Sequence, residues 1–285
     1  MDEEDPTDIF DASLSTLFSI PPIAFDASSS SSPYYIYTPP QSSSSSPFFR
    51  QIHLALPSPP SNLYATLQAN HVWLSSIYLA DLLASRVIDV ERKRVAELGA
   101  GAGLPGIVAL LLGARSVISS DWGVSEVLDV ITDNFGRATT ASAKQDTEAE
   151  RELQERWKVV GHEWGTDPSP LLCALSADGE DKPEQFDILL LADVLWATSS
   201  HPMLIESIGN LLRPGGVAHV TAGLHTGRGP VTRFVEAVSK KGWNMVLKDE
   251  VRWKVDGGWE EYTESMKVGS VEEERGVVIR FEICL

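Results

Sequence analysis

Residues Val95 to Gly106 read V-A-E-L-G-A-G-A-G-L-P-G. The stretch starts as an apolar strand, runs into a series of glycines, and carries Glu97 two positions before the first of them. Glycines permit a tight turn and let the backbone come close to a ligand. Pro105 and the apolar residues after it begin a helix, whose free N-terminal N–H groups face the same space. The stretch therefore predicts a strand, a turn and a helix that together bind a nucleotide-type cofactor.

Two cofactor motifs overlap within this stretch. The dinucleotide pattern G-x-G-x-x-G would use Gly101, Gly103 and Gly106, whereas the acid-x-G-x-G-x-G pattern of S-adenosylmethionine (SAM) enzymes starts at Glu97 and includes Gly99. Glu97 favours the second pattern. A carboxylate on a buried strand needs a polar partner, and the ammonium group of SAM, or backbone N–H groups near it, would supply one. A glycine-rich turn that binds nothing is the structural alternative.

Composition limits the partners of the chain. Its 285 residues have a formal net charge of -17, and the Lys and Arg residues form no cluster that could neutralise phosphates, so we expect no nucleic-acid partner. Cys173 and Cys284 are far apart and lack the spacing of a zinc site or a disulfide framework. No stretch has the length of a membrane span, and the N-terminus is acidic where a signal peptide would be basic. We therefore expect a cytoplasmic protein.

The first 69 residues differ in composition from the rest. Serine runs at 28–32 and 42–46, with prolines around them, predict flexible segments because they cannot bury enough apolar surface. The segments 34–37 and 48–56 have strand-like content and predict a hairpin laid over the main domain. We expect residues 1–69 to be an N-terminal extension and residues 70–285 to be one catalytic domain.

From residue 94 the chain alternates short apolar runs with helical patterns, which is typical of parallel β-α units. Strands are predicted near 95–98, 116–121, 158–162, 186–192 and 217–222. Helices are predicted near 71–84, 104–112, 124–137, 202–212 and 230–241. Asn70 is the predicted cap of the first helix. Two further strands, 243–253 and 276–284, follow without a helical crossover. Polar inserts at 139–155 and 176–184 are interpreted as solvated loops or a frayed helix. The predicted fold is an α/β class I methyltransferase (Rossmann-like) fold: a mostly parallel seven-stranded sheet that ends in an antiparallel hairpin, with helices on both faces.

Further cofactor contacts follow from this topology, because ligands of open α/β sheets bind at the carboxyl ends of the strands. Asp121 ends the second strand, where its carboxylate can accept hydrogen bonds from both ribose hydroxyls; a cap on the next helix is the alternative. Trp164 follows the third strand, where its indole could flank the adenine with Gly165 leaving room for the ring. A buried core tryptophan is the alternative there.

Three residues at the end of the fourth strand indicate the position of the methyl acceptor. Ala192 and Asp193 lie where the sulfonium methyl should point, and a buried acid at the end of an apolar strand is typical of a functional site. A capping or salt-bridged Asp193 is the alternative. Trp196 could form one wall of a pocket for a flat or cationic amine, or it could be a plain core residue.

With these residues in place, the chain resembles methyltransferase family 16, and within it a fungal branch described either as nicotinamide N-methyltransferase or as the N-terminal and lysine methyltransferase of elongation factor 1-alpha. The matching segments are 71–73, 97–105, 120–121, 163–165, 191–196 with His201, and 211–216. The resemblance implies that SAM contacts Trp73, Gly99, Ala100, Gly101, Asp121, Trp164 and Ala192. It also implies an acceptor channel lined by Trp196 and the 224–230 loop, with Asp193 orienting the amine, although that loop matches the branch only in part.

Three functions therefore remain open at this point. The preferred one is a SAM-dependent N-methyltransferase that acts on a protein lysine or N-terminal amine, with elongation factor 1-alpha as the first candidate, because the acidic surface suits a basic protein. The second is methylation of a small heterocyclic amine of the nicotinamide type. The third is a non-catalytic SAM-binding module. We expect a monomer.

Overall fold

The glycine-rich stretch lies at the centre of an eight-stranded sheet in the computed structural model of the chain. The structure describes residues 22–26, 32–40, 51–63, 67–143, 146–174, 184–255, 257–266 and 274–285. The strands are β1 (Ala24–Phe25), β2 (Tyr35–Tyr37), β3 (Ile52–Leu54), β4 (Val72–Trp73), β5 (Arg94–Leu98), β6 (Ser116–Asp121), β7 (Trp157–Gly161), β8 (Phe186–Ala192), β9 (Leu212–Gly223), β10 (Asn244–Trp253), β11 (Trp259–Glu261) and β12 (Val277–Cys284).

The large sheet has the strand order β11-β10-β12-β9-β8-β5-β6-β7. The five strands from β7 to β9 are parallel, and β12 pairs antiparallel with both β9 and β10. All seven predicted strands are present, and the predicted class I methyltransferase fold is confirmed. The edge strand β11 was not predicted, because its three residues are too short to show a period.

Seven α-helices occur within the described residues: α1 (Leu74–Ala84), α2 (Leu104–Leu111), α3 (Ser125–Ala143), α4 (Thr147–Gln154), α5 (Ser169–Leu172), α6 (His201–Leu211) and α7 (Arg228–Lys240). The helix predicted from residue 71 begins only at Leu74 and has no side-chain cap, because Val72 and Trp73 pair with β1 instead. Of the two predictions for 139–155, the structure supports the helix and not the solvated loop: most of the segment is helical, and Asp146 caps α4. In the second insert, residues 176–183 lie outside the described residues.

The sheet buries an apolar layer on each face, as two-residue periodicity requires. Along β5, Val95 belongs to the layer under α1, α2 and α3, whereas Ala96 belongs to the layer under α6 and α7. β8 is apolar on both faces, which is typical of a central parallel strand covered on both sides by helices. The packed layers fix where each parallel strand ends, and so they position the residues that follow those strands.

Pieces of the N-terminal extension pack on this domain. β2 and β3 pair antiparallel, which confirms the predicted hairpin strands, and the ring of Tyr37 is buried. The amide of Asn134 on α3 exchanges hydrogen bonds with the backbone of Ala55 and also donates to the carbonyl of Ala102 in the glycine-rich turn. Both serine runs lie outside the described residues, apart from Ser32. The division at residue 69 stays a prediction.

None of the helices in the described ranges combines the length and the apolar character needed to cross a bilayer.

Candidate active site

A cavity of about 680 Å³ opens at the carboxyl ends of β5, β6, β7 and β8, which is where parallel α/β sheets bind ligands. Its volume is within the range of small-molecule sites. Nine of the eleven predicted site residues line it: Trp73, Gly99, Ala100, Gly101, Asp121, Trp164, Ala192, Asp193 and Trp196. These residues belong to five segments that are far apart in the sequence, and the fold brings the segments together in one site.

The glycine turn after β5 forms the floor of the cavity. Gly99, Gly101 and Gly103 all have positive φ angles, at 70°, 56° and 80°, a region that side-chain-bearing residues rarely adopt. A Cβ built on Gly101 would meet no atom within 4 Å, since that position faces open space. The turn therefore presents bare backbone to the cavity.

Asp121 lies beside this turn at the end of β6. Its carboxylate accepts hydrogen bonds from the backbone N–H groups of Gly101, at 2.8 Å, and Trp122, at 2.7 Å. It does not cap α3, which begins at Ser125. Burial raises the pKa of Asp121, and the two N–H groups offset part of that rise. Because an ionised carboxylate can accept about four hydrogen bonds, Asp121 keeps capacity for the two hydroxyls of a ribose.

Glu97 and Gly103 do not reach the cavity wall. The hydroxyl of Ser119 on the neighbouring strand donates to Glu97 Oε2 at 2.7 Å, and the N–H of Gly106 in α2 is its second partner. The polar partners of Glu97 are therefore a hydroxyl and a backbone N–H, the second of which is one of the two alternatives that we expected. Burial raises the pKa of Glu97 to about 8, with the two hydrogen bonds acting in the opposite direction. Gly103 precedes α2, where a Cβ would lie 3.1 Å from both Ile131 and Phe135, so its role is close packing.

Trp164 follows β7 and lines the cavity beside the glycine turn. A Cβ on Gly99 would lie 3.1 Å from the Trp164 ring and 2.8 Å from Val194. Gly165 has a φ of 80°, and a Cβ there would lie 2.9 Å from Met203, so Gly165 lets α6 pack closely against this segment. That it leaves room for the adenine stays a prediction.

Asp193 occupies an unusual backbone position at the end of β8. Its φ is 56°, and non-glycine residues with such strain cluster at functional sites, at a cost of about 1–3 kcal/mol. Its carboxylate accepts from the N–H of Gly223 at 3.0 Å and pairs with His225 Nε2 at 3.1 Å. A salt-bridged role was our alternative for this residue. The structure shows that pairing together with exposure to the cavity.

The acceptor side of the cavity differs from the prediction in one respect. Trp196 and the 198–200 turn line it, whereas none of the residues 224–230 does. His225 from that loop instead lies behind Asp193 and stacks on Trp73, with the ring centroids 4.8 Å apart. The connection from β9 to α7 has only four residues, 224–227, and the partial match of the loop did not reveal that it lies outside the lining of the cavity.

Sequence reasoning did not single out several residues at or behind the wall, and four of them have large side chains in notable positions. Trp122, which is 44% exposed, and Met203, which is 40% exposed, both line the cavity. His71 also lines it, and its Nδ1 lies 2.6 Å from Asp26 of the extension. His225 is the fourth. The signal for Trp122 was its position next to Asp121, but the pairing of His71 with Asp26 depends on β1 and has no signal in the sequence pattern.

The cavity has the groups that SAM requires. Open space above Gly101 accommodates a ligand close to the backbone, and Asp121 offers acceptors at one end. The lining residues include the carboxyl groups of Asp121, Glu163 and Asp193 but no Lys or Arg within the described residues. SAM has a net positive charge near neutral pH, so the sign of the lining suits it.

Several curated proteins are similar to this chain in sequence. Protein N-terminal and lysine N-methyltransferase EFM7 of Gibberella zeae is 32% identical over 146 residues, which are 51% of this chain and 53% of that protein. The protein of the same name from Cryptococcus neoformans is 34% identical over 142 residues, or 50% of this chain and 42% of that protein. The matched region thus spans about half the length of the curated relatives.

Among solved structures, precorrin-6y C5,15-methyltransferase from Geobacter metallireducens superposes with a TM-score of 0.44 at 13% identity, over 72% of this chain and 85% of that one. The family model described as lysine methyltransferase matches residues 64–241, more than half of the chain, and includes every predicted site residue. The chain belongs to methyltransferase family 16, the lysine methyltransferase family.

Proposed function

We propose that this chain is a SAM-dependent N-methyltransferase that modifies a basic protein at a lysine or N-terminal amine. The observation that carries the proposal is Asp193, a strained and nearly buried acid whose carboxylate is exposed to the same cavity as the glycine turn. The similarity to enzymes named protein N-terminal and lysine N-methyltransferase supports a protein acceptor. A cytoplasmic location and a monomeric state remain predictions.

The cofactor would lie between the glycine turn and Asp121. Gly99, Ala100 and Gly101 would contact it through the backbone, Asp121 would accept hydrogen bonds from its ribose, and Trp164 would flank its adenine. When bound, SAM supplies an electrophilic methyl group on a positively charged sulfur. The protein then needs to align donor and acceptor, and such alignment accounts for a large part of catalysis.

The acceptor amine would enter beside Asp193 and Trp196. A lysine must lose a proton before it can attack, and at a reference pKa near 10.4 this costs roughly 4 kcal/mol at pH 7.5. Asp193 would orient the amine, and the removal of water from around it in the cavity would disfavour its charged form. Bound SAM would supply the methyl group, so that the nitrogen would bond to the methyl carbon as the carbon–sulfur bond breaks, with S-adenosylhomocysteine as the other product. The proton that the amine lost goes to solvent.

Elongation factor 1-alpha is the first candidate acceptor, because of the family resemblance and because a basic protein suits a chain with a net charge of -17. The test uses purified elongation factor 1-alpha and nicotinamide as separate acceptors with methyl-labelled SAM. We expect label on the protein, with a rate at saturating SAM that rises between about pH 7 and pH 9 as the neutral amine fraction grows. Label on nicotinamide alone, at a rate independent of pH, would overturn the protein-acceptor proposal.

A further inference from the structure

His225 links two walls of the cavity without lining it. Its Nε2 lies 3.1 Å from Asp193 Oδ2, and its ring stacks on Trp73 with an interplanar angle of 25°. Asp193 and Trp73 both line the cavity, but His225 does not. The ring therefore acts on the site only through these two neighbours.

The position of the His225 ring is closely restricted. Its side chain is 10% exposed, and a Cβ placed on Gly223 would lie only 2.8 Å from His225 Cδ2. Gly223 also donates its N–H to the other oxygen of Asp193. Trp73 on one side and Gly223 on another thus leave the imidazole little room to move.

The contact with Asp193 also determines which nitrogen of the His225 ring carries a proton. An ionised carboxylate only accepts hydrogen bonds, so His225 Nε2 carries the proton and donates. Burial lowers the pKa of His225, but the Asp193 carboxylate outweighs burial and the net pKa is raised, with Arg275 acting against the rise. Each oxygen of Asp193 has one hydrogen bond from this cluster, which leaves a lone pair on each for an acceptor amine.

We propose that His225 is a positioning residue for methyl transfer, which holds the Asp193 carboxylate in place on the acceptor side of the cavity and supports the Trp73 indole in the cavity wall. This inference rests on the proposed function, since it assigns Asp193 to the acceptor. His225 does not touch the reacting atoms. Its loss should therefore affect turnover more than cofactor binding.

Two substitutions separate the two contacts. His225→Phe keeps an aromatic ring for the stack on Trp73 but removes the donor, whereas His225→Gln keeps a donor near the former Nε2 but removes the ring. We expect His225→Phe to lower kcat by roughly tenfold or more, with SAM affinity within about threefold of the unchanged protein, and His225→Gln to recover part of the loss. His53→Phe, at an exposed histidine on β3, is the matched control and should leave kcat unchanged. Unchanged kcat in His225→Phe, or an equal loss of SAM affinity, would overturn the proposal.

A second measurement does not depend on activity. The pKa of His225 can be followed by NMR of its ring protons, assigned by the signal that disappears in His225→Gln. We expect a pKa above the usual histidine value in the unchanged protein, falling below it in Asp193→Asn, since burial and Arg275 then both lower the pKa. An unchanged pKa in Asp193→Asn would refute the contact even if His225→Phe failed to fold. A protein that shows the shift but methylates no protein would instead refute the proposed function.

Discussion

The backbone N–H of Gly101 donates a hydrogen bond to Asp121 Oδ2 over 2.8 Å, and this bond joins the glycine turn after β5 to the end of β6. The two halves of the candidate cofactor site are thus held together before any ligand binds. A ligand that pairs with Asp121 would also lie against bare backbone at Gly101, because no other atom occupies that space. Binding and local order at this point depend on the same two residues.

Gly101→Arg should abolish SAM binding. The new side chain would point into the cavity, and the positive φ of Gly101 would add backbone strain of about 1–2 kcal/mol. Isothermal calorimetry measures the affinity, and circular dichroism checks that the domain stays folded. Gly136→Arg is the matched control, since Gly136 lies in α3, away from the cavity, and an added Cβ meets no atom within 4 Å. Unchanged SAM affinity in Gly101→Arg would show that SAM does not bind against the glycine turn.

Substitution of Asp121 and substitution of Asp193 should impair different steps, SAM binding in the first case and turnover in the second. Asp121→Ala removes the acceptor for the ribose hydroxyls and should weaken SAM binding by roughly tenfold or more, at about 1 kcal/mol net for each bond. Asp193→Ala should instead lower kcat with a much smaller loss of SAM affinity. Calorimetry and steady-state kinetics on both variants give the comparison. Equal losses of SAM affinity would remove the acceptor role from Asp193.

Glu97→Gln should change how stability depends on pH. The native carboxyl keeps its proton up to about pH 8, whereas the unfolded chain releases it near the ordinary value of 4.5. Between these values the native state binds more protons, so the free energy of unfolding falls as pH rises. Glutamine is always uncharged, so Glu97→Gln should lose this component and be the more stable protein at pH 8.

Urea denaturation at several pH values measures the effect, and Glu91→Gln, at an exposed acid, is the control. The same variant tests the original assignment of Glu97 to the cofactor. Since Glu97 does not line the cavity, we expect SAM affinity to change by less than about threefold. A large loss of affinity would place Glu97 against SAM after all.

Tyr37→Phe should loosen the N-terminal extension. The hydroxyl of Tyr37 donates to Asp81 on α1, which also accepts from the indole of Trp259 on β11. Removing the Tyr37 hydroxyl takes the hydrogen bond from Oδ1 of the half-buried Asp81, while Trp259 still donates to Oδ2, at a cost of about 1–3 kcal/mol. Hydrogen exchange of the β2–β3 amides is compared with the free energy of global unfolding. The comparison shows whether the stability is lost in the hairpin or in the whole domain. Unchanged protection of those amides would mean that Asp81 does not anchor the hairpin.

The sequence predicted the position of a cavity residue correctly where the short segment around that residue was sufficient to place it at the end of a strand. The glycine turn, Asp121 and Asp193 all follow parallel strands, and parallel strands end at a common edge, so their convergence was predictable. The hydrogen-bond partner of Glu97 could not be predicted in this way, because Ser119 is on a neighbouring strand and belongs to no recognisable motif. The same limit hid His225: its contacts with Asp193 and Trp73 depend on how the loop after β9 folds back.

The central claim is methyl transfer from SAM to an amine of a protein. The most direct test incubates the purified chain with methyl-labelled SAM and a cell extract, separates proteins from small molecules, and locates the label by mass spectrometry, with Asp193→Ala as the paired reaction. We predict label on a lysine or N-terminal nitrogen of a protein, lost with Asp193→Ala. Label confined to the small-molecule fraction, or no transfer from a chain that binds SAM, would contradict the account.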